Sequence, residues 1–442
     1  MTGGPGLPGG APPGGAVTHP SAPAPRDRAF WDAGALDREL RRVFDICHGC
    51  RRCLPLCPSF RDLFGALDRD EVDGEVTRLS AADLGRVVDL CYQCKLCYNH
   101  CPYTPPHRWA VDFPRLMLRA RAVGARERGG VSFQDRVLGA TDLVGRVGSA
   151  LAPLSNWLLT LPAHRRLVEA AVGLHRDRRL PPFARPRFSR WFRRQRLESL
   201  PAPADRVALF PTCSVEYHEP AVGRAAVAVL RHLGVEVAVP PTRCCGMPYL
   251  DGGAVEPARR LVARNLRGLA PLVRRGWTVV APGPTCSYVL KQEWPWLADD
   301  AETARLVAGR TRDLFEYVGA LDARGLLDRR FVRRPGRIAY QFPCHLRAQN
   351  LGARTADVLR LTGAEVRVIE RCAAVDGTWG LKREYHALSL RLAGPLFRAL
   401  EEAAPEVVVT DCPLAALQIA QGTGRRPRHP VEVLAEAYGL DT

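Results

Sequence analysis

A chain of 442 residues with 46% hydrophobic and 25% charged residues is long enough to bury several cores and has the balance of an ordinary globular protein of two to four domains. Its net charge of +17 calls for an acidic protein, nucleic acid or an anionic membrane surface as partner, and nearly all of it is arginine, because lysine stands only at 95, 291 and 382. Fifteen cysteines in a chain this long exclude the disulfide framework of a small secreted domain, and the start MTGGPGLPGGAPPGG has neither the charged nor the apolar region of a signal peptide. The best uncharged run, Val147 to His164, is interrupted by Gly148, Pro153, Asn156 and Pro162 and falls short of the roughly 20 apolar residues of a membrane span, leaving only surface attachment. The expected compartment is therefore the cytoplasm, with peripheral contact at the inner face of the cell membrane open.

Residues 1–28 are rich in Gly, Pro and Ala and are expected to form a disordered tail. From Ala35 the pattern is helical, with Leu36, Leu40, Val43 and Phe44 on one face leading into Cys47. A second helix is predicted from Ser80, where Ser80 and Asp83 form a capping-box pattern and Leu84, Val87 and Val88 make the apolar stripe into Cys91. These two helix-then-cysteine units define a domain over 29–111. Residues 112–204 read as a basic helical connector, with eleven arginines between Arg165 and Arg196 against only Glu169 and Asp177.

Strands and helices then alternate. Strands are predicted at 207–210, 235–239 and 277–282, with helices at 221–233 and from about 255; the order returns with strands at 337–342, 365–369 and 407–411, which favours parallel sheets flanked by helices. Cysteine marks equivalent points of this repeat: Cys213 with Cys344, Cys244 with Cys372, and Cys286 with Cys412, offset by 131, 128 and 126 residues (344 − 213, 372 − 244, 412 − 286). The fold class expected is α followed by α/β: a helical domain, then two pseudo-repeated cysteine-rich lobes over 205–330 and 331–442.

The strongest chemical signal is the pair of runs Cys47-x2-Cys50-x2-Cys53-x3-Cys57-Pro58 and Cys91-x2-Cys94-x2-Cys97-x3-Cys101-Pro102. Short spacings let one loop wrap three corners of an iron–sulfur cubane with its N–H groups aimed at sulfur, while the fourth cysteine of each run serves the other cluster. The assignment is one [4Fe–4S] cluster on Cys47, Cys50, Cys53 and Cys101 and a second on Cys91, Cys94, Cys97 and Cys57; zinc is the competing reading of the CxxC pairs. Arg51, Arg52 and Lys95 lie inside these loops and are expected to raise the cluster potentials.

In the first lobe Cys213, Cys244, Cys245 and Cys286 follow three apolar strands and could converge at one sheet edge, where ligand sites of parallel sheets lie. The second lobe offers Cys344, Cys372 and Cys412, but Ala373 replaces the second cysteine of the pair. This leaves three readings: an incomplete cluster, one shared with the first lobe, or a wall of its site; His345 is a weaker candidate for a fourth ligand.

These motifs, with DICHGCRRCLPLCPSF, CPYTPPHRWAVDFPRLMLRARAV, TDLVGRVGSALAPL, LHRDRRLPPF, PTCSYVLKQEWP and DGTWGLKREY, resemble the heterodisulfide-reductase-related iron–sulfur oxidoreductases with CCG cysteine-rich domains. The C subunit of anaerobic glycerol-3-phosphate dehydrogenase is one of these, and the stretches look most like the stand-alone members found alongside rubrerythrin. The resemblance implies electron transfer between a partner flavin dehydrogenase or rubrerythrin-type peroxidase and a quinone or thiol acceptor, with a further Fe–S cluster on Cys213, Cys244, Cys245 and Cys286. The chain departs from the full pattern at Ala373, and Gly283 and Val289 leave Cys286 outside any CxxC. A redox- or metal-sensing protein without turnover is the alternative function. No GxGxxG, P-loop or G-x-S-x-G motif is present, so flavin or nicotinamide chemistry falls to a partner.

For the arginine-rich stretch around Phe188, Trp191 and Phe192 the readings are a solvated linker, attachment to an anionic membrane or acidic partner through interfacial aromatics, and nucleic acid. Nothing else in the chain supports the last.

Overall fold

The computed structural model describes residues 23–441 except Asp376. Most of the tail expected over 1–28 therefore lies outside the described residues, but residues 23–28 pack on the first lobe: Trp296 donates its indole N–H to the Pro23 carbonyl at 3.1 Å, and Arg26 donates to the Ala298 carbonyl at 3.0 Å.

The helical domain is built as its periodicity demands. Helix Ala33–Cys50 buries Leu36, Leu40, Val43 and Phe44, and helix Ala81–Leu90 begins at a complete Ser80/Asp83 capping box. Both pack with helix Pro58–Leu67 around Phe60, Leu63 and Phe64. Helix Phe113–Glu127, which composition placed in the connector, completes this core with Phe113, Leu116 and Met117 and sends Leu118 and Ala122 into the core of the first lobe. One helix thus belongs to two cores and ties the two domains together.

Strands β1 (Asp205–Leu209), β2 (Val235–Ala238), β3 (Thr278–Ala281) and β4 (Thr311–Asp313) form an all-parallel sheet in the order β2-β1-β3-β4. Strands β5 (Arg337–Gln341), β6 (Glu365–Ile369) and β7 (Val407–Val409) form a second, in the order β6-β5-β7. Helices cover both faces of the first sheet, which explains why Val207, Ala208, Leu209, Val279, Val280 and Ala281 are all fully buried rather than alternating. In each sheet the order reverses beside the first strand, so crevices open at the carboxyl ends of β1 and β3 and of β5 and β7. Cys213, Cys286, Cys344 and Cys412 follow those four strands. The final helix, Pro430–Ala437, crosses between lobes: Val431, Leu434 and Ala435 pack in the first-lobe core and Val433 in the second.

Two buried carboxyls lie near this junction. Asp313 accepts from the Ser287 hydroxyl and the Phe315 N–H, each at 3.1 Å, and Asp411 accepts from Tyr340 at 2.7 Å and Thr355 at 3.0 Å. Burial, and then the neighbouring Asp411, pushes the Asp313 carboxyl up to about 8; burial pushes Asp411 up to about 6. A folded value above the unfolded one favours the protonated form. The stabilising contribution is therefore full below about pH 4 and is lost as pH rises through the folded values. The Tm is expected to fall between about pH 5 and about pH 8, and Asp313→Asn, which keeps the shape without ionising, is expected to flatten the fall. Unchanged slopes in thermal melts of the two proteins would refute this.

Candidate functional site

The two ferredoxin-type runs fold alike. Cys47 and Cys50 occupy the last turn of helix Ala33–Cys50, and Arg51 reverses the chain in the left-handed region, at φ 50°. Cys57 precedes helix Pro58–Leu67, where the N–H groups of Phe60 and Ser59 point at its sulfur. In the second run Cys91 ends helix Ala81–Leu90, Lys95 makes the reversal at φ 64°, and Cys101 receives the Tyr103 N–H at 3.4 Å. The Cys101 thiol neighbours those of Cys47, Cys50 and Cys53, whereas the Cys57 thiol neighbours Cys91 and Cys97.

Burial first, and then adjacent thiols, pushes Cys47, Cys53, Cys57 and Cys97 upward, Cys53 and Cys57 to about 12. None of the fifteen cysteines is in a disulfide, and among the described residues no three His, Cys, Asp or Glu side chains converge tightly enough for one metal ion. All-sulfur donor sets that are near one another yet not converged on a point, with N–H groups aimed at sulfur, fit a polynuclear iron core, whose positive charge would reverse the upward push on the thiols.

The three loop cations differ in their surroundings. Arg51 is neutralised by Asp68, which accepts from it at 2.9 Å. Lys95 is buried and pairs with the fully buried Glu293 at 3.0 Å, on the π-helical turn Val289–Glu293, while donating to the Gln93 side chain at 2.8 Å. Burial pushes Glu293 upward, but Lys95 and then Arg115 outweigh it and hold the carboxyl below its usual value. Only Arg52, exposed and 3.3 Å from the His100 ring, has no carboxylate partner among the described residues while acting on Cys53 and Cys101. The three cations expected to raise the potentials thus differ in what surrounds them: Arg51 and Lys95 carry their own counter-charges.

In the first lobe the paired cysteines sit on a turn closed by Gly246 at φ 101°. Their backbone is pinned from three sides: the Cys244 N–H donates to Asp142 at 2.9 Å, Asn265 donates to the Cys244 carbonyl at 3.1 Å, and Trp294 donates to the Cys245 carbonyl at 2.9 Å. The four thiols of Cys213, Cys244, Cys245 and Cys286 form one hydrogen-bonded set, in which Cys213 and Cys245 hold Cys244 well below its usual value. All four line a cavity of about 300 Å³ whose other walls are mostly apolar, among them Val144, Leu159, Phe183 and Leu417.

The second lobe keeps the turn but not its chemistry. Ala374 occupies the place of Gly246 at φ 51°, a left-handed conformation costing a side-chain-bearing residue about 1–2 kcal/mol, and donates its N–H to the Cys372 sulfur at 3.2 Å. Cys344, Cys372 and Cys412 line one small cavity of about 30 Å³ together with Cys94. Tyr92 lies 3.5 Å from the Cys372 sulfur, and Cys372 acts on Cys57 of the second ferredoxin-type set. Cys412 lines both this cavity and the apolar one. Both ring nitrogens of His345 are engaged: Nε2 faces the Gln93 carbonyl at 3.0 Å and so donates, and Nδ1 accepts from Thr285 at 2.9 Å. His345 is a bridge between the domains here, not a ligand. Sequence reasoning did not reach this seam, nor Asp142, because Glu293, Thr285 and Asp142 carry no local signal.

Among the described residues the thiol groups follow one another without a gap in kind: Cys53 acts on Cys97, Cys372 on Cys57, and Cys412 shares a wall with Cys286. Redox titration of Arg52→Glu is expected to lower the potential of the cluster that Cys47, Cys50, Cys53 and Cys101 would hold, with Arg51→Gln shifting it less because Asp68 already compensates that charge. Equal shifts in the two variants would refute the distinction.

Residues 40–127 match the Citrate utilization protein B Fer4-like domain, and 207–291 and 338–420 each match the CCG cysteine-rich domain. The C subunit of anaerobic glycerol-3-phosphate dehydrogenase from Escherichia coli (strain K12) is 31% identical over 400 residues, covering 89% of this chain and 98% of that protein. The probable glycolate oxidase iron-sulfur subunit of Bacillus subtilis (strain 168) is 24% identical over 421 residues, 92% of this chain and 85% of that protein. Lactate utilization protein A of Bacillus licheniformis is 27% identical over 253 residues, 54% of this chain and 99% of that protein. With the crossed cysteine runs, the doubled parallel lobes and this extent of similarity, the chain belongs to the family of iron–sulfur oxidoreductase subunits that includes the C subunit of anaerobic glycerol-3-phosphate dehydrogenase.

Proposed function

We propose that this chain relays electrons from a flavin-dependent partner dehydrogenase of a small hydroxylated substrate to a quinone held in the apolar cavity. Cys47, Cys50, Cys53 and Cys101, and Cys91, Cys94, Cys97 and Cys57, would hold two [4Fe–4S] clusters, and Cys213, Cys244, Cys245 and Cys286 a further one. Bound there, such clusters pass single electrons, a task that needs closely spaced sites and no hydride. Cys344, Cys372 and Cys412 stand between the second ferredoxin-type set and the first lobe, which favours an intermediate role for them. The partner class is inferred from relatives named for glycerol-3-phosphate, glycolate and lactate.

The observation that carries the reading is where the cysteine series ends. The apolar cavity is walled in part by residues 137–159, and those helices are inverted in character. Gly145, Gly148, Ser149 and Ala152 face the body, Gly145 against the Tyr217 ring and Gly148 against Phe183, while Leu143, Val147, Leu151, Leu154 and Trp157 face outward. Leu143 is 65% exposed and Trp157 56% exposed, and eight of the twelve exposed large apolar residues among those described lie between Phe133 and Leu167. Val144 belongs both to this face and to the cavity wall. Among the described residues no helix is long and apolar enough to cross a membrane, so the face suits a helix cluster lying in one leaflet with lipid-soluble acceptors passing inward. The aromatics expected at the interface do not supply it: Phe188 is fully buried, and Trp191 and Phe192 pack against the same core. A rubrerythrin-type partner and a thiol acceptor follow from resemblance alone; the apolar walls favour the quinone.

Anaerobically prepared protein is expected to contain iron and acid-labile sulfide and to be reoxidised, after reduction, by a menaquinone analogue in vesicles. Leu417→Trp, which fills the cavity, is expected to slow that reoxidation at least tenfold without changing the spectrum. Leu151→Glu with Trp157→Glu is expected to abolish flotation with vesicles. Zinc without sulfide would overturn the clusters, clusters that do not cycle would favour a sensor, and equal rates for Leu417→Trp would remove the quinone from this cavity.

A further inference from the structure

A second cleft, of about 490 Å³, reaches Cys213 and Cys244, and its character is opposite to that of the apolar cavity. Five arginines line it: Arg146 from helix Thr141–Ala150, Arg187 and Arg193 from either end of the segment around helix Phe188–Gln195, Arg243 beside the cysteine pair, and Arg264 from helix Val255–Arg274. Two carboxylates share the cleft, and both are occupied. Asp142 accepts from the Cys244 N–H at 2.9 Å and the Tyr217 hydroxyl at 3.0 Å. Glu216 accepts from the Ser189 N–H at 2.9 Å and hydroxyl at 2.7 Å and pairs with Arg187 at 3.5 Å. Among the described residues Arg146, Arg193, Arg243 and Arg264 make no ion pair. The Thr242 hydroxyl, also in the wall, is buried without a hydrogen-bond partner there.

Guanidinium groups brought from four segments around one opening repel one another unless an anion joins them. Their planar forks match the oxygens of a phosphoryl group two at a time, and a cleft of this volume admits a group larger than a lone carboxylate. We infer that this cleft is a binding site for a phosphoryl anion, built by Arg146, Arg193, Arg243 and Arg264 with Thr242. The chemistry has two possible sources: a free phosphate compound, or the headgroup of an anionic phospholipid. Arg146 stands between the outward-facing Leu143 and Val147, which places the cleft at the margin of the apolar face. The inference does not depend on quinone binding or on the clusters, only on the cleft.

The test uses the full chain at low ionic strength, with Arg243→Gln/Arg264→Gln as the site variant and Arg391→Gln/Arg398→Gln, two exposed arginines outside the cleft, as a charge-matched control. Calorimetric titration with inorganic phosphate and pyrophosphate reads the soluble source. Flotation with phosphatidylglycerol–phosphatidylcholine vesicles against phosphatidylcholine alone reads the lipid source. Pyrophosphate binding that weakens at least tenfold in the site variant supports a soluble anion. Absence of soluble binding, with phosphatidylglycerol-dependent flotation reduced at least fivefold in the site variant, supports the headgroup. Neither anion binding, or equal losses in the control, overturns the site. The membrane face answers separately through Leu151→Glu/Trp157→Glu, so failure of one reading leaves the other standing.

Discussion

The buried pairing of Lys95 with Glu293 holds the second ferredoxin-type loop against the first lobe, and the placement of one cysteine set beside the next depends on it. Both groups are withdrawn from water, so each requires the other: removing one partner of such a pair typically costs about 3–5 kcal/mol because the remaining charge is stranded. Arg115 approaches the same carboxylate at 3.4 Å, and His345 adds a neutral tie between Gln93 and Thr285, the residue before Cys286. Burial holds His345 down to about 4, so this tie stays uncharged at neutral pH. A seam of one ion cluster and one neutral bridge fixes orientation more sharply than apolar contact, whose energy varies little with small slides.

The lobes themselves follow a single rule applied twice. A parallel sheet whose order reverses beside its first strand opens a crevice at the carboxyl ends, and each copy places cysteines there. Divergence between the copies is local. The first has Cys245 and Gly246, and an apolar cavity; the second has Ala373 and Ala374, retains the left-handed turn at Ala374 and encloses only a small space against Cys94. Position in the fold thus separates a cysteine set lining an apolar cavity from one that lies against Tyr92 and Cys94 of the neighbouring domain.

The first lobe also brings two unlike environments to the same thiols. Cys213 and Cys244 border both an apolar cavity and an arginine-lined cleft. The arginine excess read from the sequence is therefore not one basic patch. Arg165 and Arg178 of the basic stretch are buried, Arg165 donating to backbone carbonyls at 175, 176 and 178, whereas Arg187 and Arg193 join arginines from distant segments around the cleft.

The cysteine grammar, the helix caps and the repeat could be read from the residues alone, because each is a local pattern: cysteines three and four residues apart, a serine three before an aspartate, apolar runs at fixed intervals. Six of the seven strands among the described residues were legible for the same reason, and EVRVI ran over 365–369 as predicted. Strand β4 was not, since Thr-Arg-Asp carries no apolar run and becomes a strand only by pairing with β3. Tertiary structure alone decided which thiols neighbour which across the domains, that His345 bridges, that Phe188 enters a core, and that the outward faces of residues 141–157 are the apolar ones. An amphipathic helix announces that it has two faces; which face meets the body depends on what the body offers. Here rings at Tyr217 and Phe183 press so closely that only glycine fits beneath them, and the larger apolar side chains turn outward.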